Sequence, residues 1–194
     1  MLSSPLNSEQ RSKQYTASLS SQSINPLLSA QPEPPLHPEQ ERIVNRIMQG
    51  HNVFYTGSAG VGKSTVLKNF VNRLKQQGKK IDIVAPSGIA ALNVGGMTTF
   101  SYAGWTPDSF KEPLENLIAA ANGKKVRKRL CKTDVLVIDE ISMVERDVFI
   151  RLDNMMRAAR HGWRDWENPG HKPLSNHSRF APFGGVQLVI TGDW

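Results

Sequence analysis

A chain of 194 residues allows one domain with a tail, and its 39% hydrophobic and 21% charged residues allow a buried core. No run approaches the ~18 uncharged apolar residues of a membrane span, so no membrane partner is expected. A single cysteine, Cys131, excludes an intrachain disulfide and a cysteine-built zinc site, while a formal charge of +7 suits either a polyanion partner or a merely soluble basic surface.

Residues 1–37 are rich in Ser, Pro and Gln and lack apolar periodicity, so they read as a disordered segment ahead of a domain spanning 38–194. They hold no apolar run of a secretory signal. Arg11 and Lys13 against Glu9 make a mitochondrial transit peptide conceivable, but a plain leader is the stronger reading. Order begins with a helix over Glu39–Gln49, with Ile43, Val44 and Ile47 on one face and Gly50 ending it. Asn52–Tyr55 is a short strand, and Gly62–Gln77 a helix with Val66, Phe70 and Leu74 inward. Ile81–Ala85 is a second strand, Ala90–Leu92 suggests a short helix, and Glu112–Ala121 a longer one. The apolar run Val135–Asp139 reads as a strand buried on both faces. A helix follows over Val144–Arg160, then a loop from Gly162 to Phe183 and a last strand, Val186–Thr191. Strands alternating with helices predict an α/β fold with a parallel sheet.

Gly57, Ser58, Ala59, Gly60, Val61, Gly62, Lys63 and Ser64 match G-x-x-x-x-G-K-[ST], with a strand before and a helix after. Small residues let successive backbone N–H groups converge on phosphate oxygens, and the helix adds its positive end. Lys63 would reach the β- and γ-phosphates of ATP, and the Ser64 hydroxyl would ligate Mg²⁺. Val135–Glu140 is the matching second half. Asp139 at the end of a buried strand can hold the Mg²⁺ shell, and Glu140 can orient and deprotonate water. Two such acids could also be ordinary helix caps, but after a full P-loop the ATPase reading prevails.

Further motifs carry a resemblance. Leu36-His37-Pro38-Glu39-Gln40 resembles the adenine-recognising Q motif of superfamily 1 helicases. Residues 85–98 (APSGIAALNVGGMT) resemble motif Ia of the petite-integration-frequency (PIF) DNA helicases, Asp139–Met143 their motif II, and residues 183–193 (FGGVQLVITGD) their motif III. The matches run in the family's order over residues 36–193. The resemblance implies a P-loop NTPase with a RecA-like parallel sheet flanked by helices, the first motor domain of a superfamily 1B helicase moving 5′ to 3′ on single-stranded DNA. It implies ATP and Mg²⁺ as cofactors, held by Gln40, Gly57, Ser58, Ala59, Gly60, Val61, Gly62, Lys63, Ser64 and Thr65, with Asp139 on the metal. Lys63, Glu140 and Gln187 would be catalytic, Gln187 by sensing the γ-phosphate. Pro86, Ser87, Gly88, Thr98, Ser101 and Tyr102 would line the DNA track. Roles in repair, recombination and telomere maintenance, in nucleus or mitochondrion, are what the resemblance suggests.

The pattern departs from the family at Phe100, where a His is usual, and at Trp194, where a Phe is usual. Phe100 and Tyr102 suit base stacking or a packed core equally. The family's second RecA-like domain, with its arginine finger, would follow residue 194. The chain is therefore expected to be a truncated piece, unable to unwind DNA by itself. A non-catalytic nucleic-acid-binding remnant, a transposon-derived copy and an AAA-type remodelling ATPase are the alternatives. The run Lys124–Arg129 reads as a solvated connector or a phosphate contact. His161, His171 and His177 fit no zinc spacing, and Trp105, Trp163 and Trp166 read as packing or loop anchors.

Overall fold

The computed structural model describes residues 35–121, 123–161 and 181–193. Helix α1 (Pro38–Met48) leads to β1 (Val53–Thr56), α2 (Lys63–Gln76), β2 (Ile81–Ala85), α3 (Gly88–Asn93), β3 (Met97–Thr98) and α4 (Thr99–Ala103). Then come α5 (Leu114–Ala121), α6 (Lys124–Lys132), β4 (Val135–Ile138), α7 (Arg146–His161) and β5 (Gln187–Gly192). Single 3₁₀ turns lie at Ser109–Lys111, Ile141–Met143 and Pro182–Gly185.

The five strands form one sheet in the order β1-β5-β4-β2-β3, and every described pairing is parallel. Alternation along the strands divides the core into two layers. Val135 and Val137 of β4 face α1 and α2, packing with Val44, Ile47, Val66, Phe70 and Val189. Leu136 and Ile138 face the other way, onto Tyr102, Leu117, Leu130, Leu152 and Met155. All four β4 residues are buried, which explains the unbroken apolar run.

Several boundaries differ from expectation. The helix expected from Glu112 starts at Leu114, just after Pro113, whose carbonyl accepts from Leu117 N–H at 3.3 Å. The run read as a connector is the helix α6, held by buried Leu130. Strand β3 and helix α4 were not anticipated. Gly96 lets β3 lie against β2, since a Cβ there would overlap the Ile83 carbonyl oxygen. Phe183, in the expected loop, is buried and packs edge-on against Phe149 with ring centroids 5.1 Å apart. Trp163, Trp166, His171, His177 and Trp194 lie outside the described residues, as does the segment 1–34.

Candidate nucleotide-binding site

The phosphate loop leaves the carboxyl end of β1 and turns into α2. Two of its glycines are required by the turn. Gly60 and Gly62 have φ of +83° and +88°, in the left-handed region that disfavours side chains. Gly62 is also the N-cap of α2, and a Cβ on it would meet Gln40 Nε2 at 2.6 Å. Gln40 thus touches the loop from α1. Its amide donates to Val61 O at 3.1 Å and accepts from His37 N–H at 2.9 Å, so the expected Q motif is wired to the loop.

Lys63 curls over its own loop. Its Nζ donates to Gly57 O at 2.7 Å and Ser58 O at 3.0 Å, and it forms an ion pair with Asp193. Asp193 follows β5, whose end is pressed against the acid pair: a Cβ on Gly192 would meet Ile141 N at 2.9 Å. Thr56 Oγ1 donates to Gly192 O at 2.9 Å, which closes β1 onto β5. Asp139 follows β4 directly, its N–H donating to Val84 O at 2.9 Å. Burial holds the Asp139 carboxyl above the usual range; the Glu140 N–H and Lys63 oppose this, while the charges of Glu140 and Asp193 add to it. Glu140 itself is a non-glycine residue at φ +53°, a strained position of the sort that clusters at functional sites. The phosphate loop, Lys63, Asp139, Glu140 and Asp193 therefore converge at one end of the sheet.

Comparison with known proteins agrees with this arrangement. The sequence model of the family described as PIF1-like helicase matches residues 35–194. The chain belongs to the PIF1-like helicase family. It is 37% identical to the ATP-dependent DNA helicase PIF1 of Xenopus laevis over 172 residues, 89% of this chain and 24% of that protein. The human ATP-dependent DNA helicase PIF1 is 36% identical over 162 residues, 84% of this chain and 22% of that protein. The chain thus spans about a quarter or less of the curated relatives it matches. The crystal structure of Pif1 helicase from Candida albicans superposes with a TM-score of 0.69 at 36% identity, covering 82% of this chain and 33% of that one. Bacteroides sp Pif1 in complex with ADP-AlF4 gives 0.60 at 36% identity, over 82% of this chain and 32% of that one. The fold is a RecA-like P-loop domain.

Two residues expected in the PIF1 site lie elsewhere. Gln187 begins β5, five residues before the end that meets the phosphate loop, or about 16 Å along a strand. Its amide donates to Ile47 O at 2.8 Å and His51 O at 2.9 Å, tying β5 to the end of α1, so it does not sense phosphate. Tyr102 is fully buried, its hydroxyl 2.8 Å from Thr133 Oγ1, so it does not line a surface track. Thr133 donates to Asp82 Oδ2 at 2.7 Å, so its one proton is committed and Tyr102 is the donor to Thr133. Burial, the larger effect, pushes the Tyr102 phenol well above its usual range.

Phe100 packs edge-on to Trp105, centroids 5.6 Å apart, which favours its core role. Trp105 is a packing anchor, donating Nε1–H to Met155 Sδ at 2.7 Å. Asp193, the Lys63 partner, is not among the site residues expected from sequence: a parallel sheet puts the end of the last strand on the P-loop side, but no motif tells that Lys63 pairs there.

The remaining residues of the expected track sit together around α3 and α4. Ser87 caps α3 by accepting from Ala90 N–H at 3.2 Å, and Thr98 caps α4 by accepting from Ser101 N–H at 3.1 Å. Thr98 also donates to Ser101 Oγ at 2.9 Å, which leaves the Ser101 proton available outward. On α3, Ile89 and Leu92 are 77% and 80% exposed, an apolar pair beside Ser87 and Gly88.

Proposed function

We propose that this chain is the first motor domain of an ATP-dependent DNA helicase, coupling ATP hydrolysis to 5′-to-3′ movement along single-stranded DNA. The convergence of the P-loop, Lys63 and the Asp139–Glu140 pair on one end of the sheet carries the reading. In it, Lys63 exchanges Asp193 and the loop carbonyls for the β- and γ-phosphates. The N–H groups of Gly57–Thr65 cradle the phosphates, and Gln40 reads adenine from its place against Val61.

Mg²⁺ fits the donor set. Asp139 is half-buried beside two further carboxylates, a local excess of negative charge that a divalent cation relieves. Ser64 and Asp139 would hold it; when bound, it neutralises charge on the phosphate oxygens. Glu140 orients the attacking water and takes its proton. The arginine that stabilises the γ-phosphate, worth roughly 10³–10⁵ in rate, would come from a second RecA-like domain. A polypeptide of residues 1–194 is thus expected to bind nucleotide, hydrolyse it slowly and not unwind a fork. Single-stranded DNA would run over Pro86, Ser87, Gly88, Thr98 and Ser101. Action in repair, recombination and telomere maintenance, in nucleus or mitochondrion, is an extension of the same family reading.

The test pairs two variants in a fluorescent-nucleotide titration and an ATPase assay on the protein joined to a second motor domain. Lys63→Ala should abolish nucleotide binding. Glu140→Gln should bind normally and lose turnover by at least 10². Wild-type nucleotide affinity in Lys63→Ala would refute the site.

A further inference from the structure

Helix α6 reads Lys-Lys-Val-Arg-Lys-Arg-Leu-Cys-Lys, and its inward side is fully occupied by structure. Leu130 is buried, and Val126 packs over Gly104, where a Cβ would come within 2.7 Å of Val126 Cγ2. Arg129 donates to Ser101 O at 2.8 Å and lies over the Tyr102 ring. From α7, Arg160 Nη1 caps the far end, donating to Leu130 O at 3.0 Å, Cys131 O at 3.2 Å and Thr133 O at 3.0 Å. Arg127 reaches α7, its Nε donating to Ala159 O at 3.5 Å. The outward side is Lys124, Lys125, Lys128 and Lys132, all exposed. Among the described residues no carboxylate pairs with any of them.

This composition works against the helix. Lys124 and Lys125 sit at its positive end, behind Gly123, which offers no side-chain cap. Lys124 and Lys128, Lys125 and Arg129, and Lys128 and Lys132 are like charges one turn apart, each pair destabilising. A merely solvated face would do better with interspersed acids. Local rules broken without a local gain mark a functional surface. Lys124, Lys128 and Lys132 form a stripe with a repeat of about 6 Å along the axis, comparable to the phosphate spacing of an extended strand. The Arg129–Ser101 bond joins α6 directly to the expected DNA track.

We propose that α6 is a second grip on single-stranded DNA, a basic rail on which the strand continues after Ser101, held through its phosphates. The inference rests on the DNA reading above and extends it to a surface that reading does not include. Binding would relieve the like-charge repulsion along α6, so DNA and helix stabilise each other.

The experiment is fluorescence anisotropy with a short and a long oligothymidylate over a salt series, using the whole chain. The variant is Lys124→Gln/Lys128→Gln/Lys132→Gln; the control removes equal charge at the exposed α2-side lysines, Lys68→Gln/Lys75→Gln/Lys79→Gln. For the α6 variant, the slope of log affinity against log salt should become shallower by about 2 on the long oligomer, three phosphate contacts at ~0.7 each. It should change little on the short one, and its ligand-free melting temperature should hold or rise. An unchanged slope on the long oligomer, equal loss in the control variant, or loss on a duplex but not on the single strand overturns the proposal. If the unaltered chain binds no single strand at low salt, the DNA reading falls and this inference with it.

Discussion

Replacing Tyr102 separates a buried structural role from a place on the DNA track. Its side chain has no exposed surface, and its hydroxyl ends a chain of hydrogen bonds through Thr133 to buried Asp82. Tyr102→Phe removes one donor and leaves Thr133 still bonded to Asp82, a loss of about 1 kcal/mol. Tyr102→Ala also opens a cavity beneath α6, where Leu130 and Leu117 pack, and large aromatic truncations of this kind cost about 3–5 kcal/mol. In a domain of this size each kcal/mol lowers the melting temperature by ~2–4 °C, so Tyr102→Ala should melt roughly 6–20 °C early. Differential scanning fluorimetry reads the shift, and oligothymidylate anisotropy on the same samples should find Tyr102→Phe indistinguishable from wild type. Both variants melting with the wild type while losing DNA affinity would refute the buried role.

Gln187→Ala should lower stability by roughly 1–2 kcal/mol, because the His51 carbonyl loses its side-chain donor and Ile47 O keeps only backbone N–H partners such as Gly50. Nucleotide affinity measured well below the melting temperature should be unchanged. Gly96→Ala should destabilise by about 1–3 kcal/mol in urea unfolding, since its Cβ overlaps the Ile83 carbonyl and forces β3 off β2. Asp139→Asn should raise the melting temperature of the ligand-free chain at neutral pH. A carboxyl held above its usual range binds its proton more tightly when folded, so its stability contribution falls as pH rises through that range. The gain from Asn should therefore vanish in acid, where wild-type Asp139 is protonated; a pH-independent gain would contradict this cause.

The parts of the fold legible in the sequence are those whose signal is local. The P-loop fixes its own backbone through Gly60 and Gly62, and β4 announces burial on both faces by its unbroken apolar run. Gln40 is legible only through the resemblance of Leu36–Gln40 to the Q motif, and in the structure it lies against the loop. What escaped depends on tertiary context. A two-residue strand such as β3 has no periodicity to detect, and its place is set by the closeness of Gly96 to β2. The charges of α6 masked a helix whose apolar pattern is only Val126 and Leu130, one turn apart. The expected parallel strand Val186–Thr191 already puts Gln187 at the end away from the P-loop, against the role the motif match suggests, and Tyr102 looks the same in sequence whether it stacks on a base or reaches Thr133.

The order of strands has a consequence for synthesis. Strand β1, which carries the phosphate loop, pairs among the described residues only with β5, which is made about 130 residues later. While residues 57–186 emerge, β2 and β4 can pair and α7 can pack, but β1 has no neighbour on which to settle. Such long-range closure is slow, because the loop entropy is lost before any contact rewards it. Nascent chains should hence expose the α1–β1 segment until β5 slots between β1 and β4, and ATP can serve as a reporter of that closure.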